Sequence, residues 1–107
     1  MGCMFRGCSS LKELNLNNFN TINVTDMSSM FEGCSSLKEL NLINFNTNNV
    51  TNMYGMFNGC SSLKELNLNF NTNKVINMND MFKGCPNELK LKIKNKFNNF
   101  KNEAFNE

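Results

Sequence analysis

The ten residues GCSSLKELNL occur three times in this chain, at positions 7–16, 33–42 and 59–68. Whether they start a helix or form a strand decides the fold. Ser10 followed by Glu13, Ser36 by Glu39 and Ser62 by Glu65 each fit a helix capping box. A helix there would place apolar residues at i, i+3, i+4 and i+7, whereas Leu11, Leu14 and Leu16 stand at i, i+3 and i+5. Leu14 and Leu16 alternate around Asn15, which is the period of a strand. The Asn-rich residues that follow would also end a helix early. E-L-N-L is therefore expected to be a short strand, reached through a Ser-Ser turn.

The phrase belongs to a longer unit. Its cysteines, Cys8, Cys34, Cys60 and Cys85, are separated by 26, 26 and 25 residues (34−8, 60−34 and 85−60). Each unit runs L-x-x-L-x-L, then Phe-Asn-Thr, then Val, then M-x-x-M-F-x-G-C. A period of this length marks an array whose units bury their apolar faces against one another. The second half of the unit has a helical spacing. Val24, Met27, Met30 and Phe31 fall at i, i+3, i+6 and i+7. Asn23 or Thr25 can cap the start, Asp26 lies in the first turn, and Gly33 follows as the C-terminal glycine. Val50, Met53, Met56, Phe57 and Gly59 repeat the pattern, as do Val75, Met78, Met81, Phe82 and Gly84. One helix per unit is expected.

L-x-x-L-x-L resembles the core of a leucine-rich repeat. The combination GCSSLKELNL…FNT-x-x-V-T-x-M-x-x-M-F-x-GC is similar to the BspA-type leucine-rich repeat surface proteins, over residues 1 to about 93. The resemblance implies an α/β right-handed solenoid, with one short parallel strand and one short helix per turn of about 26 residues. It also implies adhesion to host proteins or other cells, and no catalysis. On this reading residues 1–89 form the array, which starts within a unit and so reads as a fragment of a longer one. Residues 90–107 form a C-terminal cap: a last strand around Leu91 and Ile93, then a short amphipathic helix carrying Phe97, Phe100 and Phe105.

The predicted core columns are Leu14/Leu40/Leu66, Leu16/Leu42/Leu68, Phe19/Phe45/Phe70, Val24/Val50/Val75, the methionines and the cysteines. The candidate binding face is the outer side of the sheet: Lys12, Glu13, Asn15, Lys38, Glu39, Asn41, Lys64, Glu65 and Asn67. There a Lys column is expected beside a Glu column, each offsetting the like charges of the other. Such a face suits weak, repeated contacts with a protein or a glycan. The alternative is a structural spacer with no ligand of its own.

Other chemistry is set aside. Ser9-x-x-Lys12 has the form of a penicillin-binding S-x-x-K, but it recurs at Ser35/Lys38 and Ser61/Lys64 without the companion motifs. With no His in the chain, Ser-His and Cys-His mechanisms are excluded. No cofactor or metal is expected, and stacked thiols are expected to stay reduced and buried. Cys3 stands outside their column, aligned with Ser29, Gly55 and Asp80, and is expected to be exposed and free. The net charge of +2 gives no argument for nucleic acid. The lysines around residues 90–96 are read as cap residues that discourage edge pairing rather than as a membrane contact. An uncapped N-terminal end could pair with a second copy. The compartment is not fixed by the sequence: cell surface or secreted if the array belongs to a longer parent with a signal peptide, otherwise the cytoplasm for the chain as written. Asn23-Val24-Thr25 and Asn49-Val50-Thr51 are glycosylation sequons that recur with the unit.

Overall fold

The computed structural model describes residues 3–12, 14, 16 and 18–105. The second and third copies of the phrase each carry a strand, β1 (Glu39–Asn41) and β2 (Glu65–Asn67). The two pair in parallel, with Glu39, Leu40 and Asn41 opposite Glu65, Leu66 and Asn67. Both read exposed, buried, exposed, as period-two alternation requires. In the first copy, Glu13 and Asn15 lie outside the described residues, so the strand expected there does too.

The expected helix at Val24–Phe31 does not form, and neither do its two counterparts. An α-helix spends each N–H on the carbonyl four residues back. Here the N–H groups of Met27, Ser29, Phe31 and Gly33 reach the carbonyls of Asn52, Tyr54, Met56 and Asn58 in the next unit, at 2.8–2.9 Å. Met53, Gly55, Phe57 and Gly59 do the same to Asn77, Asn79, Met81 and Lys83. Some of the residues between close local turns, such as Glu32 N–H to Ser29 O at 3.2 Å and Met56 N–H to Met53 O at 3.2 Å. Left-handed backbone at Ser29 (φ 55°), Gly55 (59°) and Asp80 (60°), and again at Gly33, Gly59 and Gly84, interrupts any helical run. The spacing that predicted a helix still buries one side: Met27, Met30 and Phe31 are fully enclosed, as are Met53, Met56 and Phe57. Successive turns place these residues inward as well as a helix would, while half the backbone N–H groups remain available to tie one unit to the next.

Equivalent residues therefore meet as columns. Phe5, Phe31, Phe57, Phe82 and Phe105 form a stack with ring centroids 5.6, 5.7, 5.4 and 5.1 Å apart. Each buried thiol donates to the carbonyl of the Phe one unit earlier: Cys34 Sγ to Phe5 O, Cys60 Sγ to Phe31 O and Cys85 Sγ to Phe57 O, all at 3.2 Å. All five cysteines are free thiols, with Cys3 exposed. A column the spacing does not announce is built on threonine. Thr21 Oγ1 donates to Asn46 O and accepts from Asn46 N–H, and Thr47 Oγ1 does the same with Asn71.

The C-terminal segment departs from expectation in its elements. Residues expected to form a last strand are helical: α1 runs over Asn87–Lys96. The apolar pair that matters is Leu89 and Ile93, at i and i+4, both buried, whereas Leu91 is 60% exposed. Pro86 precedes the helix, where a missing N–H costs nothing. The helix expected over the phenylalanines is only a 3-10 turn at Asn102–Phe105. α1 begins at Asn87, ahead of the boundary expected at residue 90. Residues beyond the helix bond to the last unit. Asp80 and Phe82 N–H donate to Glu103 O and Ala104 O, and Thr72 Oγ1 to Asn99 O, so these residues continue the ladders that join earlier units.

Candidate functional site

The candidate face is built by the same alternation that makes the strands. Leu40 and Leu66 point inward, at 1% and 8% exposure, which obliges Glu39, Asn41, Glu65 and Asn67 to point outward. Lys12, Lys38 and Lys64 are exposed as well. Glu13 and Asn15, predicted members of the face, lie outside the described residues. Register pairing sets Glu39 directly beside Glu65 and Asn41 beside Asn67. Lys64 N–H donates to Lys38 O at 2.9 Å, which brings the two lysines to adjacent rungs.

The expected mutual neutralisation is not made by contact. Among the described residues, the ion pair is Arg6 Nε with Glu32 Oε1 at 3.0 Å, away from this face, and Lys38, Glu39, Lys64 and Glu65 form none. Their charges are left to solvent. Asn41 also shapes the backbone, since its Oδ1 accepts the N–H of Ile43 at 3.0 Å and fixes the turn leaving the strand. The same device recurs at Asp26, Asn52 and Asn77, which accept from Ser28, Tyr54 and Asn79. The Ser28 hydroxyl and N–H hold the Asp26 carboxyl below its usual range. Much of the asparagine is thus turn chemistry.

Beside the face lies a cleft of about 370 Å³ between the start of β2 and the start of α1. Ser61, Ser62, Leu63, Lys64 and Glu65 form one wall, and Pro86, Glu88, Leu89 and Lys92 the other. Reading residues 91–93 as a strand hides this cleft. The signal that would have found it is the i, i+4 pair Leu89/Ile93 directly after a proline.

Burial pushes the Cys34, Cys60 and Cys85 thiols up, Cys85 to about 12, so these sulfurs are protonated and unreactive at neutral pH. Among the described residues no group of three or more His, Cys, Asp or Glu side chains could hold a metal ion, and no helix is long and apolar enough to cross a membrane. Over residues 1–106 the chain matches the model of a family described as a Mycoplasma protein of unknown function, DUF285. No curated protein and no solved structure matches it.

Proposed function

This chain belongs to the DUF285 family of Mycoplasma proteins of unknown function, and we propose that it is a non-catalytic repeat module that binds a protein or glycan through its sheet face. The fold this reading assumes is a leucine-rich-repeat solenoid of the BspA-like surface-protein type, in which each unit makes one circuit and circuits stack. Its support is the set of columns: in-register strands, unit-to-unit backbone bonds, and the rows Phe31/Phe57/Phe82, Cys34/Cys60/Cys85 and Thr21/Thr47/Thr72, which step by 26 and then 25 residues. No helix is needed in each circuit; turns close it.

The observation that carries the functional reading is the row of exposed charges on the strands. Lys38, Glu39, Lys64 and Glu65 are held on a rigid backbone by buried leucines and make no ion pair among themselves. A partner with the opposite order of charges meets a preset pattern, which favours recognition more than raw affinity. The test is the double variant Glu39→Lys with Glu65→Lys, assayed against immobilised extracellular-matrix proteins and a glycan array. Both side chains are exposed, so the melting temperature should hold within about 2 °C. Binding should fall about tenfold or more. Undiminished binding would leave the face without a role and make the module a spacer.

A further inference from the structure

We propose that the free edge of β2, where it faces α1, takes an extended peptide as a third parallel strand. This goes beyond the face reading, because it concerns the edge of the sheet and its backbone groups. In a parallel pair, one residue turns both its N–H and its C=O to one side and the next turns both to the other. Glu65 N–H donates to Lys38 O at 3.2 Å, and Asn67 O accepts from Leu42 N–H at 2.8 Å. Residues 65 and 67 therefore face β1. Leu66 turns its N–H and C=O the opposite way, where neither finds a hydrogen-bond partner among the described residues.

Elsewhere the C-terminal residues continue the ladders: Glu103 and Ala104 satisfy Asp80 and Phe82, and Asn99 satisfies Thr72. Along the strand ladder they do not. Where a third strand would follow, Pro86 opens α1, and the cleft of about 370 Å³ remains between the two elements. An unpaired edge is a template for another strand.

Charge selects the occupant. Glu39 and Glu65 are register partners, so a third acid beside Glu65 would extend a row of like charges, and Glu88 on the far wall adds to it. A base at that position ends the row. The reverse holds one residue earlier, where Lys64 follows Lys38 and Lys92 lines the opposite wall. The occupant is thus an extended segment with an acidic residue, a basic residue and an apolar residue in succession, the apolar one beside Leu66. That is the chain's own strand phrase with Lys and Glu exchanged.

The probe is the capped hexapeptide Ac-LEKLNL-NH2, titrated at low salt into the full chain while amide exchange is followed residue by residue by NMR. In the free protein the Leu66 amide should exchange faster than that of Leu40, which is bonded within the sheet. Saturation should slow Leu66. Ac-LEKLNL-NH2 should bind roughly fivefold tighter than Ac-LKELNL-NH2, the native charge order. Ac-LEKLPL-NH2, whose proline removes the N–H that would meet Leu66 C=O, should not slow Leu66. A Leu66 amide already as protected as Leu40 overturns the proposal. So does an unchanged Leu66 at millimolar Ac-LEKLNL-NH2, and so does equal protection by the proline peptide.

Discussion

Thr47 sits where one hydroxyl completes two backbone bonds. It is 2% exposed, donates to Asn71 O at 3.1 Å and accepts from Asn71 N–H at 2.8 Å. Both partners belong to the next unit, so a side chain here takes the place of a backbone ladder bond between units. Thr47→Val keeps the shape and removes the hydroxyl, leaving a donor and an acceptor unsatisfied away from water. It should cost about 2–4 kcal/mol in urea denaturation. Thr47→Ser keeps both bonds and loses one methyl, about 1 kcal/mol. Equal stability of the valine variant would mean that water supplies these groups. Phe-Asn-Thr stands at 19–21, 45–47 and 70–72, and its phenylalanines are readable as core from their apolar character. The threonines are not, because a repeated polar residue does not say which backbone group it meets. The same holds for left-handed positions. Gly55 announces one, but its equivalents do not: Asp80 tolerates that conformation better than most residues, whereas for Ser29 it is costly. Cys3, at φ 63°, completes the column from a position that looked like an exception.

Among elements, the strand was legible and the helices were not. E-L-N alternates within three residues, and the identical phrase fixes the register by itself: Glu beside Glu, Leu beside Leu, Asn beside Asn. The M-x-x-M-F segment misled because consecutive turns and a helix share the i, i+3 spacing. What separates them is whether alternate N–H groups point along the segment or across to its neighbour, and a single unit cannot reveal that. The exposure of Glu39, Asn41, Glu65 and Asn67 followed directly from the strand, whereas the cleft beside them depended on α1 and was missed with it. α1 supplies its own test. Leu89 is 2% exposed and Leu91 60%. Leu89→Ala should destabilise by about 2–4 kcal/mol through the cavity it leaves over the last unit. Leu91→Ala should stay within about 0.5 kcal/mol. A strand through Leu91 and Ile93 would put Leu91 on the same buried face as Leu89 and make both substitutions costly, so paired denaturation curves for the two variants decide between the elements.

Over the whole molecule, repetition couples the units through groups that must stay neutral. Cys34, Cys60 and Cys85 are each 5% exposed or less, and each gives its thiol proton to a Phe carbonyl one unit away. Burial raises all three thiols above the ordinary value near 9, Cys85 to about 12, with the neighbouring thiols reinforcing the rise at Cys60. In the unfolded chain the same thiols would ionise near pH 9. Below that pH both states hold the protons, and the burial of neutral sulfur is fully stabilising. Above it the unfolded state binds fewer protons than the folded one, so stability falls as pH rises, until the folded thiols ionise in turn, Cys85 near pH 12. A thiol that stays protonated in the folded chain contributes a slope of about 1.4 kcal/mol per pH unit, so Cys60 and Cys85, the two raised furthest, contribute about 3 kcal/mol per unit together, and Cys34 adds to the same fall. Denaturant midpoints measured under reducing conditions at about pH 8 and about pH 10 should therefore drop steeply between the two. Cys60→Ala starts from lower stability but should lose about 1.4 kcal/mol per pH unit of the slope. A midpoint that is flat across that interval would show that the sulfur column is wet, and with it the inside of the stack.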